Sequence, residues 1–358
     1  MILIILGTRA DIIKLSTLLD RLKARNIPFK IIHTGQHDTL ELMQKLKLPR
    51  PDYYLGRSLR NIWSKSRFPW FYALFWSLGA FQKIRMIIRR QNPDFIVYHG
   101  NTMTSSLACF SAKSILNLKS RLVHVESGVR GNTKDSRIPD FFYYIGEKCG
   151  DILLAQNNVC FDFLKRKYKK KRVLLVGDIQ EEVVTRILKF SDKKPGKKNF
   201  ILINAVRSLN TKQKIREFYR TIKNIDENLI ISLNPKIRNN LINAKYFEKI
   251  IQINNVKIIN PPDFPEFISL LKDSSIVLTD SNGVQTEASA LNIPCIVLND
   301  FSPYKESEYR GIRMVTGVNK ARILKALENI CFKKEIKKKY LSKGTKVTDK
   351  IINIMHGS

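Results

Sequence analysis

The feature that most constrains this chain is a rhythm. Short apolar runs stop at polar or glycine turns and hand over to amphipathic stretches, beginning with "ILIILGTRADIIK" at residues 2–14. There a buried-looking strand meets Gly7, Thr8 and Arg9, and "DIIKLSTLLDRLKARN" follows with apolar residues at helical spacing. "FKIIHTG", "DTLELMQKLKL", "DFIVYHG", "RLVHVES" and "DILLAQ" continue the alternation. Parallel strands need helical crossovers, so a βαβα succession predicts a mainly parallel sheet covered by helices.

The rhythm restarts after the basic stretch "SDKKPGKKN" (191–199), with "FILINAV", "NLIISLN", "NVKIINP", "SIVLTDS" and "PCIVLND" as further buried strands. The chain has 358 residues. That is enough for two medium cores and too many for one ordinary core. The expected fold class is α/β, with two doubly wound, Rossmann-like parallel-sheet domains facing a cleft. The expected domains are 1–185 and 186–358, with the last helices crossing back to the first.

Hydrophobic content of 44% and charged content of 26% are those of a globular protein. The start "MILIILGTRAD" has neither the basic residues nor the cleavage site of a secretory signal, so none is expected. The five cysteines show no C-x-x-C spacing; they read as reduced thiols of a cytoplasmic protein, with no metal and no cofactor implied. Lys and Arg number 63 against 31 Asp and Glu, a formal charge of +32. Such a field favours phosphorylated substrates or an acidic lipid surface, although a compositional drift towards Lys, Ile and Asn explains much of the excess equally well. No nucleic-acid-binding motif accompanies the charge, and a nucleic-acid partner is not expected.

Residues 57–92, "RSLRNIWSKSRFPWFYALFWSLGAFQKIRMIIRRQN", break the rhythm. The uncharged centre is too short to span a bilayer. Two readings stand. The aromatics pack as a core or dimer-interface helix, or they lie at the inner face of a membrane with basic flanks on anionic lipid.

Ligands in doubly wound sheets lie at the carboxyl ends of strands. The first end supplies Thr8, Arg9 and, one turn on, Lys14. The second supplies Gln36 and His37; the third His99, Asn101 and Thr102; the fourth Glu126 and Arg130. In the second half, "TDSNGVQTEA" places Ser281, Asn282 and Gly283 at a helix start, where a diphosphate finds donors, with Glu287 on the next turn for ribose hydroxyls. His124, within a strand, reads as a satisfied core residue.

"GTRADIIK", "HTGQH", "HGNTMTS", "HVESGVRG", "LTDSNGVQTEA" and "LNIPCIVL" occur in the order and approximate spacing of the UDP-N-acetylglucosamine 2-epimerases, which the chain resembles over nearly its whole length. The resemblance implies a glycosyltransferase-B-like fold, a UDP-sugar substrate and a homodimer. It implies that Arg9 reaches the diphosphate and that Glu126 and Asp140, the latter in "SRIPD", are the acid–base pair. It also exposes departures. Asn101 replaces an aspartate of the family's "HGDT". Val206 replaces a histidine and leaves Arg207, Ser232 replaces another histidine, and Asn282 replaces a glycine. "SPYKE" keeps Glu306 and lacks the family's arginine. The resulting expectation is an epimerase that interconverts UDP-GlcNAc and UDP-ManNAc for cell-surface polysaccharide synthesis. A membrane-associated glycosyltransferase with a UDP-sugar donor, or a non-catalytic UDP-sugar-binding protein, remains as an alternative.

Overall fold

The computed structural model describes residues 1–56, 69–130, 137–190, 199–300, 313–332 and 346–356. It divides into two compact units, Met1–Val183 with Gly344–Ser358, and Val184–Lys343.

In the first unit the described strands are β1 (Ile2–Leu6), β2 (Phe29–His33), β3 (Tyr53–Tyr54), β4 (Phe95–His99), β5 (Arg121–Ser127), β6 (Ile152–Ala155) and β7 (Arg172–Leu175). They form one sheet in the order β3-β2-β1-β4-β5-β6-β7, every pairing parallel. The chain winds outwards from β1 to β3, returns to the other edge of β1 with β4, and winds away. The direction reverses between β1 and β4, and connections leave to opposite faces there. In sheets of this kind such a reversal is where ligands bind, beyond the carboxyl ends of the strands. β1 is buried along its whole length, as a central strand covered on both faces must be.

The second unit repeats the device. Its strands are β8 (Phe200–Ala205), β9 (Asn228–Leu233), β10 (Val256–Ile259), β11 (Ile276–Thr279), β12 (Cys295–Val297) and β13 (Arg313–Val315), in the parallel order β10-β9-β8-β11-β12-β13. Here the reversal lies between β8 and β11.

Helix Pro69–Gln91, from the stretch that breaks the rhythm, buries Ala80, Ile84 and Ile88 at four-residue spacing in the core of the first unit. Trp76 packs partly buried against that core. Its other side leaves Tyr72, Leu74, Phe75, Leu78 and Met86 exposed. Residues 57–68, with Trp63, lie outside the described residues, as does Glu306. Among the described residues no helix is long and apolar enough to cross a membrane.

The last helix, Val347–His356, buries Ile351, Ile352 and Met355. It is tied to helix Arg9–Ala24 by Asp349, which accepts from Arg21 at 2.7 Å and Arg25 at 2.6 Å. Apolar burial should outweigh these partly exposed ion pairs. Ile352→Ala is expected to cost about 2–5 kcal/mol in urea unfolding, and Asp349→Ala at most about 1 kcal/mol.

Candidate functional site

The first switch point is built on close approach. A Cβ on Gly7 would come within 1.9 Å of Thr34 Oγ1 and 2.4 Å of Thr104 Oγ1, so only glycine lets β1 end there. The Thr104 amide and hydroxyl both donate to Gln36 Oε1, at 3.0 and 2.8 Å. Gln36 is thereby pinned to the start of helix Met103–Lys113. The His37 amide donates to the Gly7 carbonyl, and its ring is half-buried. Arg9 opens helix Arg9–Ala24 with its side chain exposed.

Thr8 and Asp11 form a capping box at the start of that helix. Asp11 Oδ2 accepts the amides of Gly7 at 3.1 Å and Thr8 at 2.9 Å. Its other oxygen, Oδ1, lies 3.1 Å from His99 Nδ1 at the end of β4. The opposite ring nitrogen, Nε2, lies 3.0 Å from Glu126 Oε2 at the end of β5. Lys14 Nζ reaches the same Glu126 oxygen at 3.1 Å and Asp178 Oδ1 at 3.3 Å. Five alternating charges therefore run Asp11, His99, Glu126, Lys14, Asp178.

Two ionised carboxylates only accept hydrogen bonds, so an imidazole held between them must donate from both nitrogens. Burial by itself would lower the His99 pKa; the hydrogen bonds to Asp11 and Glu126 outweigh it and raise the pKa to about 9. Burial would likewise raise that of Glu126, but Lys14 and His99 hold it well below the usual carboxylate range. His124 contrasts with His99. It is buried, donates from Nε2 to the Gly100 carbonyl at 2.8 Å and stacks on Tyr98. Burial pushes its pKa down to about 4, leaving it a neutral core residue.

Glu126 has φ of +61°, in the left-handed region. Val125 pairs with Leu154 and Ser127 with Ala155, so Glu126 is the extra residue of a bulge in β5. A non-glycine residue held there costs about 1–3 kcal/mol, and such strain gathers at functional sites.

Asn101 is half-buried in the turn after β4, and Asp140 is half-buried in the first turn of helix Arg137–Cys149. The Arg130 guanidinium is engaged by Glu147, bidentately at 2.9 and 2.5 Å, and lies over the Phe163 ring. Fully buried Glu147 also accepts the Gly128 amide and the Tyr168 hydroxyl. The structure thus uses Arg130 to shape the turn after β5.

In the second unit Asp280, fully buried after β11, accepts the amides of Val206 at 2.8 Å, Arg207 at 2.6 Å and Ser208. One carboxylate so closes the loop after β8. Ser281 caps helix Asn282–Ala290. Arg207 and Asn282 are exposed, Ser281 and Gly283 half-buried, and Glu287 is buried on the first turns. The arrangement offers a helix N-terminus, a cation and a carboxylate within one unit, a set that suits a diphosphate and a ribose.

Asp11, Asp178 and Asp280 escaped the sequence reading. Thr8-x-x-Asp11 was legible as a cap and Asp280 as a strand-end carboxylate. Asp178 carried no local signal.

The histidines give a pH signature. A folded-state pKa raised to about 9 means that His99 contributes stability in full below its ordinary value of 6.5 and loses it as pH rises through about 9. His33 and His124, both lowered to about 4, act oppositely and oppose folding as pH falls below 6.5. The melting temperature should therefore fall between neutral pH and about 9.5, and His99→Gln should flatten that alkaline limb.

A family model described as UDP-N-acetylglucosamine 2-epimerase matches residues 20–356. The UDP-N-acetylglucosamine 2-epimerase of Methanocaldococcus jannaschii is 28% identical, over 98% of this chain and 98% of its own length. A UDP-N-acetylglucosamine 2-epimerase homolog of Methanococcus maripaludis is 30% identical, over 92% and 91%. The crystal structure of the M. jannaschii enzyme in complex with UDP-GlcNAc and UDP superposes with a TM-score of 0.80 at 26% identity, covering 100% of this chain and 99% of that one.

Proposed function

The chain belongs to the UDP-N-acetylglucosamine 2-epimerase family, and on that premise we propose that it interconverts UDP-GlcNAc and UDP-ManNAc by eliminating and re-adding UDP, in the service of cell-surface polysaccharide synthesis. The observation that carries the proposal is Glu126: a strained, bulge-borne carboxylate, kept ionised at the switch point of the first sheet.

Inverting C2 requires a proton to leave one face of the sugar and another to return on the opposite face. C2–H is not acidic, so the removing group must be a fixed anion close to it. Glu126 supplies that anion. As C2–H breaks, its electron pair forms the C1–C2 double bond and the C1–oxygen bond to UDP breaks. The departing diphosphate needs donors that strengthen as charge develops. Arg9, Arg207 and the Ser281–Gly283 turn are assigned that role, and Glu287 the ribose. In the reverse sense Asp140, in its acid form, gives a proton to C2 on the other face; the double-bond electrons form the new C2–H bond and the diphosphate oxygen bonds again to C1.

Asn101 and Val206 favour a second reading, a transferase on the same scaffold. An amide and an alkyl group stand where family members carry a carboxylate and an imidazole, and one acid–base group is typically worth about 10²–10⁴-fold in rate. Hydrogen exchange separates the two. An epimerase incubated with UDP-GlcNAc in heavy water places deuterium at C2, and Glu126→Gln and Asp140→Asn each abolish the label. A transferase acts at C1 and leaves C2–H intact; lack of exchange with UDP binding preserved would overturn the epimerase reading.

We also propose peripheral contact with anionic membrane through 57–92. Exposed Tyr72, Leu74, Phe75 and Leu78 precede exposed Lys83, Arg89 and Arg90 on one helix, an apolar half followed by a cationic half. The chain should pellet with anionic vesicles at low salt, less at high salt, and not with neutral ones. Failure to pellet would leave that face to a second copy of the chain, the homodimer that family membership suggests.

A further inference from the structure

We propose that Asp11 is a positioning residue, which acts through His99 to hold Glu126 fixed in place. The inference rests on the epimerase reading for its kinetic consequence and on geometry alone for its structural one.

Asp11 would ordinarily be explained as a helix cap, and half of it is one. Its Oδ2 takes the Gly7 and Thr8 amides. A cap needs no more than that, and caps usually sit at the surface. Asp11 is 1% exposed, and its second oxygen is spent on His99 Nδ1, a residue 88 positions away. His99 then holds Glu126 from its far nitrogen at 3.0 Å. The charged groups around His99 come from each element packed on it. Asp11 lies on helix Arg9–Ala24, Glu126 and neutral His124 on β5; Lys14 acts through Glu126, and Asp178 through Lys14.

Without Asp11, His99 would lose one of the two carboxylates that offset its burial, and its Nδ1 would lose its acceptor. With Asp11 at Nδ1, the ring that donates to both carboxylates is the charged one, and Glu126 then meets a cation as well as a donor at 3.0 Å. A carboxylate so held is a weak base at rest. Its value is that His99 and Lys14 hold it in one place. A resting carboxylate can accept a proton and has none to give, so the returning proton comes from a different group.

The test turns on separating cap from positioning. Asp11→Asn keeps an oxygen for the two amides but presents an amide N–H₂ to His99, which then becomes an acceptor at Nδ1 and loses its charge. Asp11→Glu keeps the charge. Histidine ¹⁵N NMR of the full chain reads the ring directly. The expected result is an imidazolium at His99 through neutral pH in the parent, a titration midpoint lower by two units or more in Asp11→Asn, and retained charge in Asp11→Glu. With UDP-GlcNAc, Asp11→Asn should lower kcat roughly 10²-fold or more with KM little changed, and Asp11→Glu should recover much of it. If the two variants titrate alike and turn over alike, Asp11 is only a cap and the proposal fails. If the parent shows no C2 exchange while His99 still loses its proton in Asp11→Asn, the epimerase reading fails and the positioning role stands.

Discussion

Much of the first unit depends on one buried histidine that carries a proton it would otherwise shed. His99 stands between Asp11 and Glu126, and removing any of the three breaks at least one of these buried contacts. Breaking a buried pair in this way typically costs about 3–5 kcal/mol. The charges come from the helix after β1, the end of β4 and the end of β5, so the interaction fixes three elements at the point where the sheet changes direction. Lys14 and Asp178 extend it to the loop after β7.

The second unit solves the same topological problem with one carboxylate and backbone amides. Asp280 gathers three N–H groups of the loop after β8. No imidazole is involved, and the groups beside it are exposed Arg207 and Asn282 and half-buried Ser281 and Gly283. One switch point thus concentrates fixed side-chain charge, and the other presents donors.

The architecture was legible because central parallel strands write themselves as unbroken apolar runs, as in Ile2–Leu6 and Ile276–Thr279. The strand ends were legible for the same reason: polarity returns where the sheet stops. Partnership was not legible. Arg130 stands at a strand end in sequence, and its bond to Glu147, on a helix 17 positions later, shows only in the fold. Gln36 looks like a substrate contact and is held by Thr104. Asp11 looks like a cap, and its second bond is visible only once β4 is laid beside β1. His124 and His99 sit at comparable places in neighbouring strands and differ in charge because only His99 meets carboxylates on both sides.

The most direct test is to start separately from pure UDP-GlcNAc and pure UDP-ManNAc and follow both by proton NMR. Convergence of the two reactions on one ratio of epimers, with the intact chain as sole catalyst, is the predicted result. Persistence of each substrate unchanged at high protein concentration, while UDP still binds, would contradict it.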